Sequence, residues 1–108
     1  VIAVGAIDDG DRLAGFSSRG SNLWLVAPGV RILSTYRGGG YQRLSGTSMA
    51  APHVTATCAL LLSREPTLSP AALREILAAS AERLSGLSKE EQGFGLVRAE
   101  RALSFLRR

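Results

Sequence analysis

These 108 residues hold one cysteine, one histidine, one methionine and one tryptophan. A lone Cys58 excludes an internal disulfide framework. Set among Ala56, Thr57, Ala59 and Leu60, its thiol is expected to be buried and inert. No apolar run is long enough to cross a membrane. The longest, residues 54–62, falls far short of the ~20 residues a spanning helix needs and carries two threonines. Acidic residues are the minority, giving a net charge of +4 and a pI near 10.2. The cations are nearly all arginine and lie scattered from Arg12 to Arg108. They lack the clustered stripe of a nucleic-acid surface, so neither nucleic acid nor membrane is expected as a partner. No internal repeat, low-complexity linker or signal peptide is visible, and no internal domain boundary is expected.

What is present reads as an α/β chain. A hydrophobic content of 45% is globular in character, and this length suits one domain. Residues 1–7 are almost wholly apolar, as in a parallel strand buried on both faces. The chain opens inside this strand without methionine, which suggests part of something larger. Further strands are expected at 23–27 and 32–36. Gly38-Gly39-Gly40 marks a turn into a strand at 41–44, giving a short antiparallel hairpin. A long helix is expected from about Thr47 to Arg64. Pro52 is tolerated in its first turns, and Pro66 ends it. From Val54 to Leu62 it is apolar on nearly every face, which predicts a central, buried helix. Ser69-Pro70 caps and starts a second helix with Leu73, Ile76 and Leu77 as its apolar stripe. A last helix spans about 98–106, with Ala99, Ala102, Leu103 and Leu106 on one side. Residues 85–95 read as a loop. Asp8, Asp9, Gly10 and Asp11 form a turn; a calcium loop would need the alternating aspartates and distal glutamate that are missing.

The densest chemical signal is Ser45-Gly46-Thr47-Ser48-Met49-Ala50-Ala51-Pro52-His53. A small-residue turn delivers Ser48 to the first turn of the long helix. Gly46, lacking a Cβ, allows close approach of the backbone. The free N–H groups of the helix start face the same point, with the positive end of its dipole. A hydroxyl there can attack a carbonyl, and those N–H groups can hold the oxyanion that forms. The plainer reading is a capping segment, for which Ser and Thr are common.

The segment resembles the Gly-Thr-Ser-Met-Ala-x-Pro-His string of subtilisin-like serine proteases (subtilases), in which the serine is the nucleophile. Other stretches are similar too: Val1-Ile2-Ala3-Val4-Gly5-Ala6, Phe16-Ser17-Ser18-Arg19-Gly20, Ala27-Pro28-Gly29-Val30 with Ile32 and Ser34-Thr35, and Gly93-x-Gly95-Leu96-Val97-x-Ala99. The resemblance runs from the first residue to about Ala102. It is to the C-terminal part of the catalytic domain and implies a subtilisin-like three-layer α/β/α fold.

Several roles follow from the resemblance. It implies Ser48 as the nucleophile of an endopeptidase acting through an acyl-enzyme. It implies the Ser48 backbone N–H, and a Thr47 hydroxyl, as support for the oxyanion. Met49 is implied beside the serine, exposed to oxidation. Leu44 and Ser45 align with the leaving-group side of the substrate cleft. Asn22 and Trp24 fall where some subtilases carry acidic ligands for a weakly bound cation. Trp24 cannot serve so, and no metal is expected in this segment, although structural calcium elsewhere in a full domain remains compatible. Ala56 stands where the family usually has glycine, and its methyl is expected to tighten a helix–sheet contact. Secretion is also implied.

The triad of such enzymes runs Asp, His, Ser along the chain, and only the last has a counterpart here. His53 lies five positions after Ser48 on the same predicted helix. At ~100° per residue it points roughly 140° away around the axis, out of reach of the hydroxyl. The implied partners are therefore a polypeptide substrate and the upstream half of the same domain. The competing reading is a catalytically dead, subtilase-derived binding or assembly module. The sedolisin branch shares Gly-Thr-Ser but not the Ala-x-Pro-His string.

Overall fold

The apolar opening run forms β1, Ala3–Ile7, whose last three residues are buried. The computed structural model describes residues 2–15, 17, 20–30, 32–35, 41–44 and 47–107, and for 32–35, 41–44, 47–49 and 107 it describes the backbone. β1 pairs in parallel with β2, Leu23–Pro28. Between the pairs Ala3↔Leu23 and Val4↔Leu25 the register slips by one residue, and Trp24 is the extra residue of this bulge. A bulge re-aims the side chains around it. Leu23 thereby joins Ile7, Val26 and Leu84 on one face, while Leu25 and Ala27 join Ala6, Ala14, Ala50, Val54 and Leu77 on the other.

The outer edge of β1 is covered near its C-terminal end by the chain that follows. The Ala14 N–H donates to the Ala6 carbonyl at 3.0 Å, and the Ala6 N–H donates to the buried Ser17 hydroxyl at 2.9 Å. The aspartate turn lies between them. The Asp8 carboxylate accepts from the N–H groups of Gly10 and Arg12, both at 2.9 Å, and Asp11 takes a positive φ of 61°. The Arg12 N–H and then that of Gly10, with the Arg12 guanidinium beside them, hold the Asp8 carboxyl below its usual range.

β3, Ile32–Thr35, and β4, Tyr41–Leu44, form the expected antiparallel pair, with Ile32 opposite Leu44. Its glycine turn lies outside the described residues. α1, Thr47–Arg64, has the bounds the sequence predicts. Among the described residues it buries one face. Ala50, Val54, Thr57 and Leu61, spaced four, three and four apart, bury one stripe, while Leu60 and Leu62 remain 46% and 36% exposed. Ala56 is also exposed, so its methyl does not tighten a contact with the β1–β2 sheet.

α2, Pro70–Ser80, starts as expected, with the Ser69 hydroxyl accepting from the Ala72 N–H at 3.0 Å. Its Leu77 is fully buried. The stretch read as a loop contains a one-turn helix, α3, Lys89–Gln92. Ser88-x-x-Glu91 is a capping-box pattern, and the Glu91 carboxylate accepts from the Ser88 N–H at 3.0 Å. The last helix is shorter than expected: α4, Ala99–Ser104, passes into a 3₁₀ turn over Phe105–Arg107.

Beyond α3 the chain returns along the free edge of β2. The Phe94 N–H donates to the Trp24 carbonyl, the Val26 N–H to the Gly95 carbonyl, and the Val97 N–H to the Val26 carbonyl, at 2.8–3.0 Å. Gly93 and Gly95 both have positive φ, and a Cβ on either would run into the backbone of Trp24 or Glu82. The Gly-x-Gly pattern is thus a requirement of close approach. Gln92, fully buried, locks this return to the preceding loop. Its side-chain carbonyl accepts from the Leu84 N–H at 2.7 Å, and its amide donates to the Leu84 and Leu87 carbonyls at 2.8 and 2.7 Å.

Replacing Gln92 by leucine keeps the volume but strands the Leu84 N–H and the Leu87 carbonyl, and leaves the Leu84 carbonyl only its 3.4 Å bond from the Leu87 N–H. Each stranded group costs about 1–3 kcal/mol less any relaxation, so Gln92→Leu is expected to lower stability by about 3 kcal/mol in urea unfolding. A change below about 0.5 kcal/mol would show that water replaces the amide without loss.

Candidate active site

The serine motif bridges two elements. Leu44 closes β4, Ser45 lies outside the described residues, and Thr47, Ser48 and Met49 are the first three residues of α1. As the first helical residues, these three have N–H groups without an acceptor one turn back in the helix.

The direction of α1 decides where that end points. Ile2, Val4, Ala51, Val54, Thr55 and Cys58 line one depression, which sets the second and third turns of α1 by the start of β1, while Ala50, ahead of them, is buried in one cluster with Ala6 and Ala27. α1 therefore runs against the strands, and its first turn lies toward their carboxyl ends. That end is closed by the Gly29 N–H donating to the Ile7 carbonyl at 3.0 Å. In parallel α/β sheets this is the end at which ligands bind. A helix start there offers N–H donors and about half a positive charge to an oxygen that becomes anionic.

The general base is a separate matter. His53 is on α1 itself, about 7.5 Å along the axis from Ser48 at the usual rise per residue and on another face. Its ring is half-buried, and its carbonyl accepts from the Thr57 hydroxyl at 2.9 Å. Asp8 follows β1 at the same end of the sheet, but both its oxygens are engaged within its own turn. One accepts the two backbone N–H groups and the other lies 3.3 Å from Arg12 Nε. Among the described residues no group of three or more His, Cys, Asp or Glu side chains is placed to hold a metal ion.

Two positioning residues escaped the sequence reading. Ser17 supports β1 just before its carboxyl end, and Gln92 holds the segment that flanks β2. Neither has a periodic signature, since each acts through a polar atom aimed at backbone.

The profile of the subtilase family (peptidase S8) matches residues 1–95. Subtilisin DY of Bacillus licheniformis is 46% identical over 102 residues, covering 94% of this chain and 36% of its own. Subtilisin Savinase of Lederbergia lenta is 45% identical over 101 residues, covering 94% of this chain and 37% of its own. This chain thus spans little more than a third of the length of these relatives. Among solved structures, the CspB protease of Clostridium perfringens superposes with a TM-score of 0.89 at 35% identity, covering 99% of this chain and 26% of that one. Fervidolysin from Fervidobacterium pennivorans, a keratinolytic enzyme related to subtilisin, gives 0.86 at 39% identity, covering 96% and 19%.

The depression beneath α1, about 310 Å³, also places the cysteine. Cys58 is half-buried instead of fully buried, and desolvation raises its thiol above the ordinary value. A raised pKa lowers the thiolate fraction at every pH below it, and the thiolate is the reactive form. Alkylation of Cys58 by iodoacetamide should therefore be slower than that of a free cysteine peptide at pH 8, with its midpoint displaced to higher pH. A profile matching the free peptide would mean that the depression is hydrated.

Proposed function

Since the chain belongs to the subtilase family, we propose that it carries the nucleophile of a serine endopeptidase, with Ser48 as that residue. The observation that carries this reading is the seat of Thr47-Ser48-Met49. The serine is the second residue of α1, at the helix end lying toward the carboxyl ends of β1 and β2.

In this mechanism Ser48 Oγ attacks the carbonyl carbon of a peptide bond and gives its proton to a base. The electron pair of the C=O bond moves to oxygen, and the oxyanion is held by the Ser48 backbone N–H and the Thr47 hydroxyl. Collapse of this intermediate breaks the C–N bond. The amine leaves with the proton from the base, and an ester remains on Ser48. Water, deprotonated by the same base, hydrolyses that ester. The resemblance assigns Leu44, Ser45 and Met49 to the leaving-group side, and implies that the sulfur of Met49 is open to oxidation there. The base, its orienting carboxylate and a side-chain oxyanion donor come from polypeptide outside these residues, since His53 faces away and Asp8 is engaged in its own turn. The proposed substrate is a polypeptide, and the proposed site of action is outside the cell.

Labelling tests the assignment. In the natural gene product carrying these residues, a serine-directed phosphonate should modify Ser48 alone, and Ser48→Ala should abolish peptidase activity without altering the melting profile. Modification of another serine, or full activity in the alanine variant, would overturn it.

The 108-residue polypeptide by itself should behave otherwise. A general base contributes about 10²–10⁴ in rate, and among the described residues we identify none to serve Ser48. The exposed apolar flank of α1 also favours association. No measurable casein cleavage and broad, weakly cooperative unfolding are expected. Adding the upstream part of a subtilase domain should restore some of both. A monomeric chain that melts sharply and cleaves casein unaided would refute this. A chain that binds the upstream part but never gains activity would favour the binding-module alternative.

A further inference from the structure

The corner around Trp24 is where the resemblance puts the acidic ligands of a weakly held cation, at Asn22 and Trp24. The donor set does not fit a metal. The cleft there, about 320 Å³, is lined by Ile2, Ala3, Ser21, Asn22, Trp24 and Arg74. None of the six carries a carboxylate, whereas hard cations gather several oxygens, usually with carboxylates among them. A positive charge is already in place. The Arg74 guanidinium carbon lies 5.7 Å from the centroid of the Trp24 ring, and arginine does not lose its proton in proteins.

The arginine is part of a ladder joining three separate pieces of chain. The Trp24 indole N–H donates to the Arg74 carbonyl at 3.1 Å, tying the bulge in β2 to α2 across fifty residues. Trp24 also meets Phe94 edge to face, with centroids 4.7 Å apart and planes at 63°. Lys89 Nζ lies 5.6 Å from the Phe94 centroid. The order is Lys89, Phe94, Trp24, Arg74, with a cation at each end and aromatic quadrupoles between them. Each end attracts in the sense expected for a cation over a ring.

We infer that this ladder does at the Trp24 corner what a bound ion would do, so that the corner is held by Arg74 and does not respond to calcium or sodium. The inference rests on the subtilase reading of this corner, but its test does not use peptidase activity. The bulge gives the physical reason. It turns Trp24 out of the strand ladder toward α2, where the ring presents a π face to a cation and the indole presents a donor to a carbonyl. An ion would bridge oxygens at this place; the indole and guanidinium bridge the same segments without one. An added cation would meet the Arg74 charge instead of a carboxylate.

Hydrogen exchange reads the corner directly in the natural gene product. The Trp24 indole N–H and the Phe94 amide, which donates to the Trp24 carbonyl, should exchange at the same rate in excess chelator, saturating calcium and sodium at matched ionic strength. Arg74→Ala should speed both by about three-fold, the scale of one exposed cation–π contact, and calcium should not reverse the change. Calcium-dependent protection of these two sites in the unsubstituted protein would overturn the inference without any variant. So would unchanged exchange in Arg74→Ala. Loss of Ser48 labelling, by contrast, would undo the peptidase proposal and leave the exchange result standing.

Discussion

β2 is the strand on which the rest of the structure depends, because it is satisfied on both edges and both faces. β1 takes one edge and the return after Gly93 takes the other. α1 covers the face of Leu25 and Ala27, and Leu84, Leu87 and Leu96 cover that of Val26. A strand so enclosed leaves few backbone groups to water, and an unpaired one would be costly. Everything that positions the candidate nucleophile is tied to it. The hairpin leaves from its carboxyl end, and α1 returns from the hairpin across its face. Small residues make this possible. Ala6, Ala27 and Ala50 are fully buried where helix meets sheet, and such side chains let the two layers come close.

The elements with a strong period, or with clear start and stop residues, were legible in the sequence. α1 runs from Thr47 to Arg64 as read, and Ser69-Pro70 begins α2, because caps and prolines act locally. β4 also has the bounds read for it. What was not legible is non-local. The bulge at Trp24 depends on the register against β1, which no property of residues 23–28 reveals. The one-turn α3 is too short for a periodic signal, although Ser88-x-x-Glu91 announces it. The buried clamps of Ser17 and Gln92 use single polar atoms, whose meaning exists only once the backbone groups they reach are in place.

The one-sided burial of α1 among the described residues has a different cause. Composition reports what a helix is able to bury, not what covers it. The helix is apolar almost all round, yet only the stripe of Ala50, Val54, Thr57 and Leu61 is buried against these residues, with Leu60 and Leu62 exposed. The same excess explains why Cys58 is half-buried and why Ala56 faces away from the sheet. The serine motif was legible for the opposite reason. Its meaning is carried by a run of adjacent small residues and by the start of one helix, both local. The roles of its individual atoms rest on family resemblance and on that position.

The two halves of the chain divide the physical work. After residue 80, order comes from directed polar contacts: Gln92 to Leu84 and Leu87, Arg98 to Glu82 and Glu100, and glycine-enabled pairing with β2. The motif region has a helix terminus instead. A helix start aimed at a reacting carbonyl must keep its N–H groups unspent, since donors already bonded cannot receive an oxyanion. Stability at the site must then be supplied from elsewhere, and the structure supplies it through β2. Fixing Trp24, Val26 and Ala27 from both edges sets where the strand ends, and thereby where the hairpin and the first turn of α1 can lie. The residues that hold the candidate nucleophile in place are accordingly remote from it in sequence, reaching to Gly95 and Val97.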